Sequence, residues 1–264
     1  MHVAEGAPRG RVVPITLRSL VVGTGAPKIV VPTTGVTAAA VLAQARAIAE
    51  HPAADVLEFR ADFLAFAADA ARVAALGREV AGAARGKPVL VTVRTKSEGG
   101  AAAFGDPDYG ALCRALVDAG FADLLDVEMF RDPRVVGELV DGAHRAGVRV
   151  LMSSHDFSGT PPADEIVARL RRQQELGADL LKIAVMPRDP GDVLRLLDAT
   201  WRMRSRYATR PMLTVAMGAV GLVSRLAGEV FGSDLTFGMI GTGSAPGQID
   251  AGRLREILTA IHLA

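Results

Sequence analysis

One cysteine, four lysines and no long apolar run set the first limits on this chain of 264 residues. The single cysteine, Cys113, excludes an internal disulfide and a cysteine metal cluster. It lies in Ala111-Leu112-Cys113-Arg114-Ala115-Leu116, a helical pattern in which it reads as a small buried apolar side chain. The five histidines include no closely spaced pair with metal-ligand geometry. No apolar run approaches the roughly 20 residues that a spanning helix needs. The N-terminus carries charge but no coherent signal-peptide core, so a soluble, cytoplasmic protein is expected, without a membrane partner. The net charge is +1 and the arginines are scattered, which removes the electrostatic case for nucleic acid. No GxGxxG follows the first strand and no Walker A motif occurs, so the nucleotide-binding α/β classes lack support.

What is present is a large apolar fraction, 50%, enough for a full core, arranged in a regular alternation. Short apolar runs at 28–32, 55–60, 88–94, 124–128, 149–154, 180–185, 212–216 and 234–238 read as strands. Alanine-rich segments with helical spacing lie between them, among them 38–50, 67–84, 164–176, 190–204 and 254–263. Strands that alternate with helices pair in parallel, because parallel neighbours need a crossover. Eight such units predict a single-domain (β/α)8 TIM barrel over residues 26–264, with a doubly wound open sheet as the structural rival. Residues 1–25 precede the first unit; 12–17 and 19–23 could form a hairpin closing the bottom of the barrel, and 1–10 a floppy extension.

Lysine is scarce here: Lys28, Lys87, Lys96 and Lys182 are four of 30 basic residues. Lys182 sits inside Leu180-Leu181-Lys182-Ile183-Ala184-Val185, an apolar strand. Burial disfavours the ammonium form, and a neutral amine can attack a carbonyl to form a Schiff base, which arginine cannot. The bland alternative is a lysine at a strand end that snorkels to solvent. Other polar residues also fall at strand ends, where barrel active sites form. Side chains alternate faces along a strand, so Glu58 and Arg60 share one face, Arg94 shares a face with Thr92 and Leu90, and Lys182 shares one with Leu180 and Ala184. His155 ends the fifth of the eight strands and Arg225 follows the seventh. Asp156 points away from its neighbour, so Glu98 is preferred as the group that orients His155. Each has a structural alternative: a Glu58–Arg60 ion pair, an Arg94–Glu98 pair, a loop hydrogen bond for His155, a first-turn position for Arg225. Their joint placement at successive strand ends points to a polar site in the barrel mouth. After the last strand, Gly241-Thr242-Gly243-Ser244-Ala245-Pro246-Gly247-Gln248 reads as a lid whose Ser244 and Gln248 hydrogen-bond hydroxyls, with a phosphate cradle as the alternative.

Taken in order, these segments resemble the type I 3-dehydroquinate dehydratases. The resemblance runs from about Pro27 to Gln248 through Glu58-Phe59-Arg60, Thr92-Val93-Arg94, Glu98-Gly99-Gly100, Ser154-His155-Asp156-Phe157 and Leu181-Lys182-Ile183-Ala184. It continues through Met217-Gly218, Ser224-Arg225-Leu226-Ala227-Gly228, Phe231-Gly232-Ser233 and Ser244-Ala245-Pro246-Gly247-Gln248. It implies a lyase of the shikimate pathway that converts 3-dehydroquinate to 3-dehydroshikimate by syn elimination of water, with no metal or other cofactor. Lys182 would form the imine, His155 would act as general base and acid, and Glu98 would orient it. Arg225 would bind the substrate carboxylate, Glu58, Arg60 and Arg94 would contact ring hydroxyls, and Met217 would pack on the ring. Ser244 and Gln248 would close over the substrate, and Thr33 stands where the family often has a serine. A homodimer is implied by the resemblance alone. Two rivals remain: another Schiff-base barrel of the class I aldolase type, and a barrel that binds a polyhydroxy acid without turnover.

Overall fold

The computed structural model describes residues 12–262, so the expected extension over 1–10 lies outside the described residues. The described residues open with a hairpin of β1 (Ile15–Leu17) and antiparallel β2 (Leu20–Val22). Eight strands alternating with helices follow: β3 (Lys28–Pro32), α1 (Ala38–Glu50), β4 (Val56–Arg60), α2 (Ala70–Ala83), β5 (Val89–Thr92) and α3 (Asp106–Asp118). Next come β6 (Leu124–Glu128), α4 (Pro133–Arg145), β7 (Arg149–Asp156), α5 (Ala163–Glu175), β8 (Leu180–Val185), α6 (Pro190–Arg206) and β9 (Met212–Ala216). Two short helices, α7 (Leu222–Leu226) and α8 (Gly228–Phe231), then lead to β10 (Leu235–Phe237) and α9 (Ala251–His262).

The strands are parallel in the order β10-β3-β4-β5-β6-β7-β8-β9. Pairing of the last strand with the first is what a barrel requires and an open doubly wound sheet lacks. The gap between β9 and β10 is bridged by Asp234, whose N–H donates to Met212 O at 2.7 Å and whose carboxylate accepts the Met212 N–H at 2.9 Å. Among the described residues no helix is long and apolar enough to cross a membrane.

Local chemistry sets the element limits. At α4 and α6 an aspartate cap, Asp132 or Asp189, accepts an N–H of the first turn, and proline follows at the first helical position, where its missing donor costs nothing. The spacing predicts α2 from residue 67, but Asp69 caps the Arg72 N–H and Ala67–Asp69 close turns onto Leu64 and Phe66 instead. β7 runs two residues beyond its expected end, because His155 and Asp156 stay in register with Ala184 and Val185 of β8. His155 is therefore carried on rigid strand backbone.

The barrel interior is layered by the period of two. At the bottom Val30, Val56, Leu90, Leu124, Leu151, Leu180, Leu213 and Leu235 meet Ile15, Leu17 and Val22 of the hairpin, which plugs that end. The alternate residues Leu57, Phe59, Leu181, Ile183 and Val185 face the helices. Cys113 is fully buried on α3, as expected of a small apolar side chain, and burial pushes its thiol up to about 12. Each fully buried Leu or Val contributes roughly 1.5–3 kcal/mol, which offsets the cost of the charged layer that lies above this floor.

Candidate active site

One layer above the apolar floor, the inward positions become polar. Glu58, Arg60, Arg94, Glu98, His155, Lys182, Met217, Arg225, Ser244 and Gln248 all line one cleft at the C-terminal ends of the strands. It encloses about 540 Å³ including its open mouth. The charged side chains come from β4, the segment after β5, β7, β8 and α7, while Ala184, Leu213, Val215, Met217 and Phe237 form a facing apolar wall. Such a cleft suits a ligand with one hydroxylated and one apolar face.

Lys182 is 5% exposed. Its backbone is fixed by Gln173 of α5, whose side chain accepts the Lys182 N–H at 3.0 Å and donates to its carbonyl at 2.9 Å. Its Nζ donates to Asp126 Oδ2 at 3.2 Å and lies 4.7 Å from the centre of the Phe237 ring. Burial lowers the amine below its ordinary value and outweighs the opposing pull of Asp126. The snorkelling alternative does not apply to a side chain held this way.

His155 Nδ1 lies 2.8 Å from Glu98 Oε2, which leaves Nε2 free toward the cleft. Asp156 points the other way and accepts from Ser158, so alternation along the strand decides between the two carboxylates as expected. Burial, with the nearby cations Arg94, Lys182 and Arg60, drives His155 well below its ordinary value. Burial raises Glu98 to about 8. The imidazole is therefore uncharged near neutral pH, and the state of Glu98 sets which ring nitrogen carries its proton.

Arg94 organises the centre. It donates to Asp126 at 2.6 Å, Glu128 at 3.0 Å and Glu98 at 3.2 Å. Burial alone would lower its pKa, but these carboxylates raise it, so the guanidinium stays charged. Glu58 accepts from the Thr92 hydroxyl at 2.8 Å, while Arg60 pairs with Asp62 through two bonds of 2.8 Å. The anticipated alternative of a Glu58–Arg60 ion pair is thus replaced by two separate contacts. Gly100 permits the loop that brings Glu98 back to Arg94, since a Cβ there would sit 1.9 Å from Arg94 O.

Arg225 is 2% exposed and has no carboxylate partner among the described residues. It donates to Pro246 O at 3.0 Å, and its Nε is buried without a partner. Burial pushes it down to about 10. A buried, uncompensated guanidinium at a cleft is costly unless an anion joins it. The loop after β10 folds over this arginine. Ser244 N–H donates to Gln248 Oε1 at 2.8 Å, Gln248 Nε2 donates to Ser244 Oγ at 3.2 Å, and both side chains line the cleft. Gly247 is required there, with φ +78 and a would-be Cβ 2.4 Å from Gly218 O.

Thr33 is placed differently from the other sequence-derived candidates. It is fully buried in the wall, where its hydroxyl donates to Glu58 O at 3.3 Å and accepts the Arg60 N–H at 3.2 Å. It reaches the cleft only through those two neighbours. The sequence reading overlooked Asp126, Glu128, Asp62, Gln173 and Phe237. Leu124-Leu125-Asp126-Val127-Glu128 carried a legible signal, two carboxylates on the inward face of an apolar strand. No group of three or more His, Cys, Asp or Glu side chains among the described residues is arranged to hold a metal ion.

Comparison with known proteins agrees with this geometry. Residues 29–264 match the family model described as Type I 3-dehydroquinase. The chain is 49% identical over 249 residues to the 3-dehydroquinate dehydratase of Syntrophotalea carbinolica, covering 94% of this chain and 98% of that one. It is 46% identical to the Klebsiella pneumoniae 3-dehydroquinate dehydratase, covering 92% and 97%. A crystal structure of the type I 3-dehydroquinate dehydratase from Clostridium difficile, with covalently modified comenic acid, superposes with a TM-score of 0.92 at 40% identity, covering 96% of this chain and 98% of that one.

Proposed function

From the premise that this chain belongs to the type I 3-dehydroquinase family, we propose that it dehydrates 3-dehydroquinate through an imine on Lys182, with His155 moving the protons. A member of this family is a hydro-lyase. One observation carries the finer reading: a buried lysine with a lowered pKa, a neutral histidine and an unpaired buried arginine converge on a single cleft.

The chemistry requires those three groups. Neutral Lys182 adds to the substrate ketone, and loss of water leaves a protonated imine. That iminium draws in the charge that develops when His155 Nε2 removes the C2 proton, giving an enamine. The histidine then donates its proton to the C1 hydroxyl, which departs as water as the enamine electrons push out. Hydrolysis of the remaining conjugated imine restores the ketone and frees Lys182. Acid–base catalysis of this kind contributes on the order of 100- to 10,000-fold. Arg225 offers its fork to the substrate carboxylate. Glu58, Arg60, Arg94, Ser244 and Gln248 face the ring hydroxyls, and Met217 covers the ring.

The test is intact-protein mass spectrometry after incubation with 3-dehydroquinate and borohydride, followed by peptide mapping. A reduced adduct on Lys182 is expected. Product formation without any adduct would keep the reaction and reject the imine. Neither adduct nor product would return the choice to an aldolase or a binding protein.

Arg225→Ala is expected to raise KM by about 10- to 100-fold, the range for losing a hydrogen-bonded partner of a charged group, with a smaller change in kcat. Steady-state kinetics on the enone absorbance reads this directly. An unchanged KM would remove Arg225 as the carboxylate site. The same substitution removes a buried, uncompensated charge, so thermal stability should hold or rise.

A further inference from the structure

We propose that Asp126 is a positioning residue for the lysine chemistry: its Oδ2 aims Nζ of Lys182 at the ketone and then accepts the single N–H of the iminium. The inference rests on the imine reading above. Asp126 is 1% exposed and none of its oxygens is idle. Oδ1 accepts the Ser153 hydroxyl at 2.6 Å, while Oδ2 accepts from Arg94 at 2.6 Å and from Lys182 at 3.2 Å. Despite burial, which opposes ionisation, Arg94, Lys182 and the Ser153 hydroxyl hold its carboxyl below the usual value. It is a fixed anion at the reacting nitrogen.

The geometry assigns it a second task. Lys182, Asp126, Arg94, Glu98 and His155 form one chain of contacts of 3.2, 2.6, 3.2 and 2.8 Å. The nucleophile and the proton carrier are thus set relative to each other by three rigidly held side chains rather than by two independent strands. When the neutral amine becomes an iminium it gains a positive charge and retains one N–H. A carboxylate already beside it stabilises that charge without reorganisation, and a nitrogen kept protonated is the better electron sink for the C2 proton removal. The charged groups nearest the nitrogen are Glu58 from β4, Arg94 just after β5 and Asp126 from β6, with His155 from β7 and Glu98 behind Arg94; Arg60 and Arg225 line the same cleft. β9 and β10 present only Leu213, Val215, Met217 and Phe237. Asp126 is the carboxylate among these that donors from both Lys182 and Arg94 reach.

Asp126→Asn in the full chain tests this. Turnover is followed by enone absorbance, and imine formation by borohydride trapping and mass spectrometry, both across pH. The expected result is a kcat loss of about 10- to 100-fold, with KM changing by less than about threefold. The ascending limb of adduct formation should also move to lower pH, because an amine that loses its anionic neighbour deprotonates more easily. A purely structural aspartate would lower the folded fraction and leave that limb in place. An unmoved limb with kcat within about threefold of the parent overturns the proposal. If the variant does not fold, Ser153→Ala removes the 2.6 Å bond that fixes Asp126 and should shift the same limb in the same direction by less; no shift there overturns the proposal equally. Failure of the unsubstituted protein to give any adduct sinks the imine reading itself, which separates the two.

Discussion

Lys182→Ala is expected to abolish turnover, by about 10⁵-fold or more, the scale reached when a covalent nucleophile is removed from its constellation, while the barrel stays folded. The loss has a specific cause. Alanine leaves the other side chains of the cleft in place but removes the amine that would carry the electron sink, so proton removal beside a bare ketone would have to proceed without an iminium. The fold survives because Asp126 keeps Arg94 and Ser153 as partners, and because the segment is anchored by the Gln173 bonds to backbone atoms that the substitution does not touch. Circular dichroism with a melting curve checks the fold, and enone absorbance checks the activity. Residual activity within about 100-fold of the parent would defeat the imine mechanism.

His155→Ala should cost about 10²- to 10⁴-fold in kcat, and its mode of failure differs. The lysine can still condense with the ketone, so borohydride should trap an adduct on this variant while proton transfer and imine release stall. Absence of any trapped adduct would count against the role given to His155. The parent enzyme's pH profile reports on the same histidine. When Glu98 is ionised it accepts the Nδ1–H, and Nε2 presents its lone pair to the cleft. When Glu98 is protonated it donates to Nδ1, the ring proton moves to Nε2, and the base is lost. Glu98 is raised to about 8 by burial, so it is neutral below that pH and a carboxylate above it. Activity should therefore climb as pH rises toward and through about 8. Lys182, lowered from its ordinary value, becomes a free amine in the same direction. A profile that falls over this range would contradict both assignments.

Much of this site was legible in the sequence because strand geometry is local. The alternation of Leu180, Lys182 and Ala184 placed the lysine inward, and the same rule separated His155 from Asp156 and so favoured Glu98. Repetition of strand and helix specified the barrel class, and the apolar residues of the hairpin matched the bottom of that barrel. Those conclusions need only the period of two, the period of 3.6 and the crossover rule.

Tertiary structure alone decided which charges meet. That Arg94 binds Asp126 and Glu128, 32 and 34 residues away, and that Lys182 reaches Asp126, 56 residues away, depends on the stagger between neighbouring strands of a closed sheet. No local pattern encodes that stagger. The same holds for Thr33, whose hydroxyl faces the β4 backbone rather than the cleft, whereas Arg60 turns to Asp62, its near neighbour in the chain, instead of Glu58. Arg225 is the sharpest case. Its sequence neighbours allow an ordinary first-turn arginine, and only the packed barrel, by burying it beside Pro246 without a carboxylate, makes it a cation that waits for an anion. The sequence determines which face each side chain takes, since that follows from one strand; the register of the closed barrel determines its partners, since that needs all eight strands at once.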